Sequence, residues 1–259
     1  MMGMPIDVGN FVYDLMGEAG KLLLSFRDRL VVCRRKSDGL DLQTNADLEV
    51  ENFLVTAIAH QFPDHGIWAE EGGWKKERSD YCWYVDALDG TKNFYRQIPE
   101  YNIAVCLLFR NRPVLGAVNI PFYDQIFTGI EGKGAFLNKR KISVNARGVL
   151  KQCFVYAYPP KGKTFDSLRR IVQKVYRLRY SPTQNMYLCY LATGSIEAYL
   201  NCSCPSKSVE DVVPGLLVAC QAGAKVTELT EGKFEFGRSG QLYLASNGKV
   251  HQKILELLK

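Results

Sequence analysis

The sequence predicts a mixed α/β protein built of layered sheets and helices, and three observations carry that reading. Apolar residues recur at helical spacing near the start, β-rich runs separated by turn residues fill the middle, and strands alternate with helices through the back half. Phe11, Val12, Leu15, Met16, Ala19, Leu22, Leu23 and Phe26 form one stripe, so the chain opens with an amphipathic helix. Ser37-Asp38-Gly39 reads as an exposed turn. A second helix follows Leu42-Gln43-Thr44-Asn45-Ala46-Asp47, carrying Val50, Phe53, Leu54, Ala57 and Ile58, and stops near Pro63 and Gly66.

A strand is expected at Tyr81 to Val85, and Ile103 to Phe109, Val114 to Asn119, Gln125 to Ile130 and Ala135 to Asn138 read as an antiparallel meander. The back half reads as strand Cys153 to Tyr158, helix Ser167 to Leu178 and strand Ser195 to Leu200. A helix after Asp211, strands Ala224 to Leu229 and Leu242 to Ser246, and a terminal helix from Val250 complete it. With no linker, repeat or low-complexity tract, residues 1–259 read as one domain of two intimately packed lobes, about 1–145 and 146–259.

Composition narrows the function classes. Hydrophobic residues make up 47% and charged ones 23% of the chain, an ordinary globular balance that excludes wholesale disorder. The net charge of +6 is spread over scattered basic groups, which suits anionic small molecules better than nucleic acid. No signal peptide and no apolar run of roughly 20 residues is visible, so a cytoplasmic, non-membrane protein is expected. The eight cysteines then read as buried thiols, with Cys202 and Cys204 too weak a pattern for zinc.

The chemistry sits in WYVDALDGTKNF, Trp83 to Phe94, which sets Asp86 and Asp89 three residues apart directly after an apolar run. Asp47, Glu70-Glu71 and Asp211 likewise fall at element ends, where loops place functional side chains. Taken singly, each has a plainer reading: a first-turn acid for Asp47, a solvated loop for Glu70-Glu71, an N-cap for Asp211 and an Asp-Gly turn for Asp89. Gathered together they need cations, and oxygen-only ligation with few histidines points to magnesium or manganese. Gly90 lets the backbone approach a ligand, and a helix starting after it offers free amides to phosphate. Thr91 can orient a water or simply cap the helix. Other chemistries lack their motifs: Lys161-Gly162-Lys163-Thr164 has Ala157 where a P-loop needs glycine, and His60, His65 and His251 are few and peripheral.

In their order these residues resemble the magnesium-dependent, lithium-sensitive inositol monophosphatase family. WYVDALDGTKNF is similar to its aspartate-proline-leucine/isoleucine-aspartate-glycine-threonine signature. Leu42 to Asp47, Glu70-Glu71, Gly132 to Asn138, and Glu210-Asp211 with Gly215 and Gln221 to Ala224 match further family segments over nearly the whole chain. The resemblance implies an α-β-α-β-α sandwich, a homodimer and a phosphomonoesterase working by attack of metal-activated water. Inositol 1-phosphate or a similar polyol or sugar phosphate is the leading substrate. The rivals are 3′-phosphoadenosine-5′-phosphate, histidinol phosphate and fructose 1,6-bisphosphate, or a non-catalytic regulatory or RNA-binding role on the same fold. It further implies two or three magnesium ions, with manganese as an alternative. By the same resemblance Glu70, Asp86 and the Leu88 carbonyl would hold one ion, Asp86, Asp89 and Asp211 a second, and Glu70 would assist a third. The Gly90 and Thr91 amides take phosphate, while Glu70 and Thr91 position the water with Asp47 behind them.

Departures concern specificity. Ala87 replaces the signature proline, Glu210 the usual tryptophan, and Asn201-Cys202-Ser203-Cys204 stands where many members place an inositol-contacting glutamate. Lys92 is more typical of relatives acting on nucleotide or histidinol phosphates. A pocket-facing Glu210 disfavours a second phosphate through like-charge repulsion. The expected outcome is therefore slower release from bisphosphates than monophosphates, a gap that Glu210→Gln narrows; an unchanged rate ratio makes Glu210 a surface acid.

Overall fold

The first helix begins where Asp7 accepts hydrogen bonds from the Gly9 and Asn10 amides, and α1 (Val8–Leu24) buries Val12, Leu15, Met16, Ala19 and Leu23. The computed structural model describes residues 7–35, 42–76, 79–159, 164–202, 211–236, 238 and 240–259. The expected turn at Ser37-Asp38-Gly39, the residues Lys161-Gly162-Lys163, and Cys204, Lys207 and Glu210 lie outside the described residues.

In chain order the elements after α1 are β1 (Val32–Arg35), β2 (Leu42–Thr44), α2 (Asn45–Gln61), β3 (Gly66–Ala69), β4 (Gly73–Lys76), β5 (Tyr81–Asp89) and α3 (Thr91–Tyr95). Then come β6 (Asn102–Phe109), β7 (Arg112–Ile120), β8 (Gln125–Ile130), β9 (Gly134–Leu137) and β10 (Arg140–Ile142). The back half holds β11 (Phe154–Ala157), α4 (Thr164–Lys174), β12 (Arg177–Tyr180), α5 (Gln184–Ala192), β13 (Ala198–Asn201), α6 (Val213–Gln221), β14 (Lys225–Glu228), β15 (Tyr243–Ser246) and α7 (His251–Leu258).

Among the described residues β1 and β2 pair alone, and two larger sheets carry the fold. One runs β10-β9-β8-β7-β6-β5-β3-β4, the other β12-β11-β13-β15-β14. From β5 to β10 every neighbour is antiparallel, the expected meander. Parallel pairs join β3 to β5 and β11 to both β12 and β13.

The period-2 alternation of the strands builds the layers. Trp83 and Val85 on β5, with Ile103, Val105 and Leu107 on β6, pack among buried residues of α1 and α2. Cys82, Tyr84, Cys106 and Leu108 point the other way, into a cluster with Met186, Leu188 and Leu191 of α5 and Leu216 and Val218 of α6. Tyr156, Tyr199, Tyr243 and Ala245 of the second sheet close that same cluster. Val155, Ala157, Ala198, Leu200 and Leu244 face outward onto Leu168 and Ile171 of α4 and Ile254 and Leu255 of α7. The result is five layers, α-β-α-β-α, with one apolar seam joining the two sheets through α5 and α6.

Several elements differ from the sequence reading. The fourth helix ends at Lys174 rather than Leu178, because Arg177 to Tyr180 peel away into a parallel ladder with β11. Helix α5 is unforeseen: lying in the middle layer it buries Gln184 to Cys189 without a polar face, so it carries no helical periodicity. Strand β5 continues through Asp86 to Asp89 instead of stopping at Val85. The thiols are only partly as expected: Cys33 is exposed and Cys220 half-buried, while Cys82, Cys106, Cys153, Cys189 and Cys202 are buried.

His251, read as peripheral, is 1% exposed and lies between Ser246 Oγ at 2.8 Å and Thr227 Oγ1 at 2.9 Å. Burial, helped by the Lys225 charge and opposed by Glu231, lowers its pKa from 6.5 to about 4. A lowered folded-state pKa leaves stability intact above 6.5 and removes it as pH falls toward about 4, because the unfolded chain takes up a proton first. Urea melts should show stability falling between those limits, with His251→Gln flatter over the same window.

Candidate active site

In a regular strand residues three apart point to opposite faces, so Asp86 and Asp89 on one side of β5 need an irregularity. The ladder supplies it. Asp86 pairs with Ala104 and Asp89 with Asn102, so three steps along β5 oppose two along β6. This one-residue bulge brings both carboxylates to one side. Inside it the Leu88 amide donates to Asp86 Oδ1 at 3.0 Å, and Asn102 Nδ2 donates to Asp89 Oδ2 at 2.8 Å.

Directly after the bulge, Gly90 adopts φ +95° and starts the five-residue α3. A Cβ there would stand 2.8 Å from the Glu100 carbonyl oxygen, so glycine is required on both conformational and steric grounds. The helix is short, and any anion affinity of the Gly90 and Thr91 amides rests on those local donors rather than on a long dipole. The Thr91 hydroxyl does not cap α3. Its one proton is shared between Asp47 Oδ1 at 2.9 Å and the Leu88 carbonyl at 3.1 Å. Lys92, the specificity candidate among the described residues, projects from the exposed side of α3.

Asp47 is 2% exposed and belongs to the capping box of α2 as well as to the site. Its Oδ2 accepts from the Thr44 amide at 2.8 Å and from the Thr44 hydroxyl. Burial raises its pKa above the usual range, against the pull of the Thr44 and Thr91 hydrogen bonds. The capping box thus occupies Oδ2 and leaves Oδ1 to accept from Thr91.

Glu70 sits in the turn between β3 and β4, its amide donating to the Val85 carbonyl at 3.1 Å. The turn is anchored from below by Glu51, which lies one helical turn after Asp47 on α2. Glu51 Oε2 accepts from the Glu71 amide at 2.8 Å, and its Oε1 meets Lys75 Nζ at 2.9 Å. Asp211 precedes α6 but is not its cap, a position held by Val212. Asn185 of α5 fixes this segment, donating to the Asp211 carbonyl at 3.2 Å and accepting from the Gly215 amide at 2.9 Å. Glu51, Asn102 and Asn185 were not foreseen. Asn102 precedes the expected strand Ile103 to Phe109, Asn185 lies in the unforeseen α5, and Glu51 carries no motif.

The electrostatics tie the acids together. Asp86 is pushed well above the carboxylate range by burial first, then by Glu70, Asp89 and Asp211. Burial raises Asp89 to about 7, with the Asn102 hydrogen bond opposing and the Asp211 and Glu70 charges adding. Four carboxylates that destabilise one another's ionised forms, with oxygen as the donor, fit a hard divalent cation. Among the described residues no three His, Cys, Asp or Glu stand close enough together to hold a metal ion by themselves. Magnesium ordinarily takes few protein carboxylates and keeps the rest of its shell for water and phosphate. The residues present therefore fit that ion. Asp47 joins through Thr91 rather than through the acid cluster. Glu210 lies outside the described residues.

Fold and site together define a class, the layered phosphatases whose acids border a glycine turn. The chain belongs to the inositol monophosphatase family, whose model matches residues 7–259. It is therefore a phosphoric monoester hydrolase of a magnesium-dependent family. It is 26% identical over 253 residues to the fructose-1,6-bisphosphatase/inositol-1-monophosphatase of Thermotoga maritima, covering 98% of this chain and 96% of that one. It is 29% identical over 253 residues to Nus factor SuhB of Pseudomonas aeruginosa, covering 93% and 92%. The solved structure of extragenic suppressor protein suhB from Bartonella henselae superposes with a TM-score of 0.88 at 27% identity, covering 98% of this chain and 99% of that one. Among the described residues no helix is long and apolar enough to cross a membrane.

The Glu51 anchor can be checked by stability. Glu51→Ala strips the Glu71 amide of its acceptor and Lys75 of its counter-ion, and should cost roughly 2 kcal/mol in urea unfolding. Lys75→Met, at a partly exposed position, should cost less than about 1 kcal/mol.

Proposed function

We propose that the protein hydrolyses a small phosphate monoester in the presence of magnesium, with inositol 1-phosphate or a similar polyol or sugar phosphate as the leading substrate. The observation that carries this reading is the mutual electrostatic coupling of Glu70, Asp86, Asp89 and Asp211 beside the Gly90-Thr91 turn. Glu70, Asp86, Asp89, Asp211 and the Leu88 carbonyl would hold two or three magnesium ions, or manganese in their place. When bound, the ion supplies charge neutralisation for the phosphate and the leaving alkoxide and lowers the pKa of water.

The chain's own groups do the rest. The Gly90 and Thr91 amides hold phosphate oxygens. Thr91, with its proton drawn toward Asp47, keeps lone pairs that accept from the attacking water and orient it. Glu70 accepts a proton from that water as the water oxygen bonds to phosphorus and the ester P–O bond breaks, and the departing alkoxide takes up a proton from solvent to leave as the alcohol. Lys92, on the exposed side of α3, is the described residue taken to tune the leaving group, and Glu210 is the second candidate by sequence. The same reading takes the chain as one domain with lobes of about 1–145 and 146–259, supported by the apolar seam both sheets share. It also includes a homodimer and inhibition by lithium, which the family resemblance supports.

The rival substrates remain 3′-phosphoadenosine-5′-phosphate, histidinol phosphate and fructose 1,6-bisphosphate, the last favoured by the name of the Thermotoga relative. The name Nus factor SuhB favours a second reading, a regulatory or RNA-binding role. Polyanion binding with a steep salt slope that survives Asp89→Asn supports that role.

Phosphate release across these esters, with and without magnesium and lithium, tests the main reading. Silence on every ester with magnesium present sinks it. Asp86→Asn and Asp89→Asn should each lower kcat/KM about a hundredfold or more, since the removed charge is needed in the transition state. The metal-free variants should melt at or above the wild-type temperature, because a repelling charge has gone.

A further inference from the structure

Asn102 opens β6 opposite Asp89, in the register that follows the bulge. Its side chain is fully buried. One end is accounted for: Nδ2 donates to Asp89 Oδ2 at 2.8 Å. The other end is not. Among the described residues Asn102 Oδ1 has no hydrogen-bond partner, although it is buried. An orphaned amide oxygen in an apolar interior costs about 1–3 kcal/mol, so its retention calls for a reason.

The orientation of the amide follows from its bond to the ionised Asp89 carboxylate. Turning it over would face Oδ1 toward the Asp89 carboxylate and replace a charge-assisted hydrogen bond with a contact between two acceptors. The two heteroatoms of an amide share one carbon, so the unpaired oxygen lies within a few ångströms of the carboxylate its nitrogen grips. That oxygen therefore belongs to the acid cluster, and it is an acceptor waiting for a donor.

We propose that Asn102 is a positioning residue of the cation site: its Nδ2 locks the Asp89 carboxylate in its ligating orientation, while its Oδ1 accepts from a water carried by the hydrated divalent cation. The proposal rests on the magnesium reading above and assigns it a partner beyond the ligands themselves. A donor bonded to a ligating carboxylate fixes the rotamer before the ion arrives, and losing such a partner typically weakens metal binding 10–100-fold. The neutral amide suits both tasks. A second carboxylate at 102 would add repulsion, and an aliphatic side chain would leave Asp89 free to rotate.

Calorimetric titration of magnesium into metal-free protein tests this with Asn102→Leu, which keeps the volume, and Asn102→Ala, which adds no bulk. Both variants should bind magnesium at least about tenfold more weakly than wild type. The metal-free unfolding temperature should stay close to wild type for Asn102→Leu, because removing the orphaned oxygen offsets the loss of the donor to Asp89. In phosphate release, the magnesium concentration giving half-maximal rate should rise in parallel, with kcat at saturating magnesium within about threefold of wild type, since the effect enters through the metal. Magnesium affinity within twofold of wild type in both variants overturns the proposal. So does weakened affinity accompanied by loss of the metal-free fold in both, which makes Asn102 a structural residue. Wild-type protein that binds no magnesium overturns the magnesium reading itself, and the role of Asn102 falls with it.

Discussion

The repulsion among carboxylates gathered at the end of a buried strand is the constraint around which this structure is arranged. Asp86 is 3% exposed, and its ionised form is opposed by burial and by three neighbouring acids. A hydrophobic core alone would hold such a group protonated or push it out. Here the surroundings supply directed donors instead: the Leu88 amide to Asp86 and the Asn102 amide to Asp89. These offset part of the cost, and in the proposed function a cation would meet the remainder. The acids are held ready at the expense of the metal-free state, a trade common at functional sites.

Holding them ready demands rigidity from elements far apart in sequence. The β5 bulge aligns Asp86 and Asp89, and the α2 capping box locks Asp47 while leaving its second oxygen for Thr91. The buried Glu51 carboxylate pins the Glu70 turn from beneath, and Asn185 ties the Asp211 segment to the middle layer. Each device satisfies backbone groups that would otherwise be stranded at an element end. The same hydrogen bonds therefore serve folding and site geometry at once, so a stability change and an activity change at these positions share one cause.

The seam between the sheets matters for the same reason. Helices α5 and α6 lie between them, buried on nearly every side, and they deliver Asn185 and Asp211 to acids carried by the first sheet. Without that packing the acids of β5 and of the β3–β4 turn are parted from Asp211, which precedes α6. Variation among the relatives, whose names span bisphosphatase, monophosphatase and Nus factor, is readily accommodated on such a frame. The walls around the acids can change while the bulge, the box and the seam stay in place.

Much of this was legible in the residues. Amphipathic spacing located α1 and α2, alternation located the meander, and the ordered acids around Gly90-Thr91 pointed to a hard cation and a phosphate ester. These signals are local: a side-chain period reports a buried face, and an acid beside glycine reports a loop shaped for a ligand. Tertiary structure decided the rest. Helix α5 carried no period because the middle layer buries it all round, and β12 was absorbed into the preceding helix because its strand character comes from pairing with β11. The direction of Asp89 depended on a bulge defined only against β6, and the importance of Glu51, Asn102 and Asn185 depended on partners distant along the chain. A linear sequence records which groups are present, but only the packed chain determines which of them lose water together, and that shared desolvation is what turns separate acids into a site.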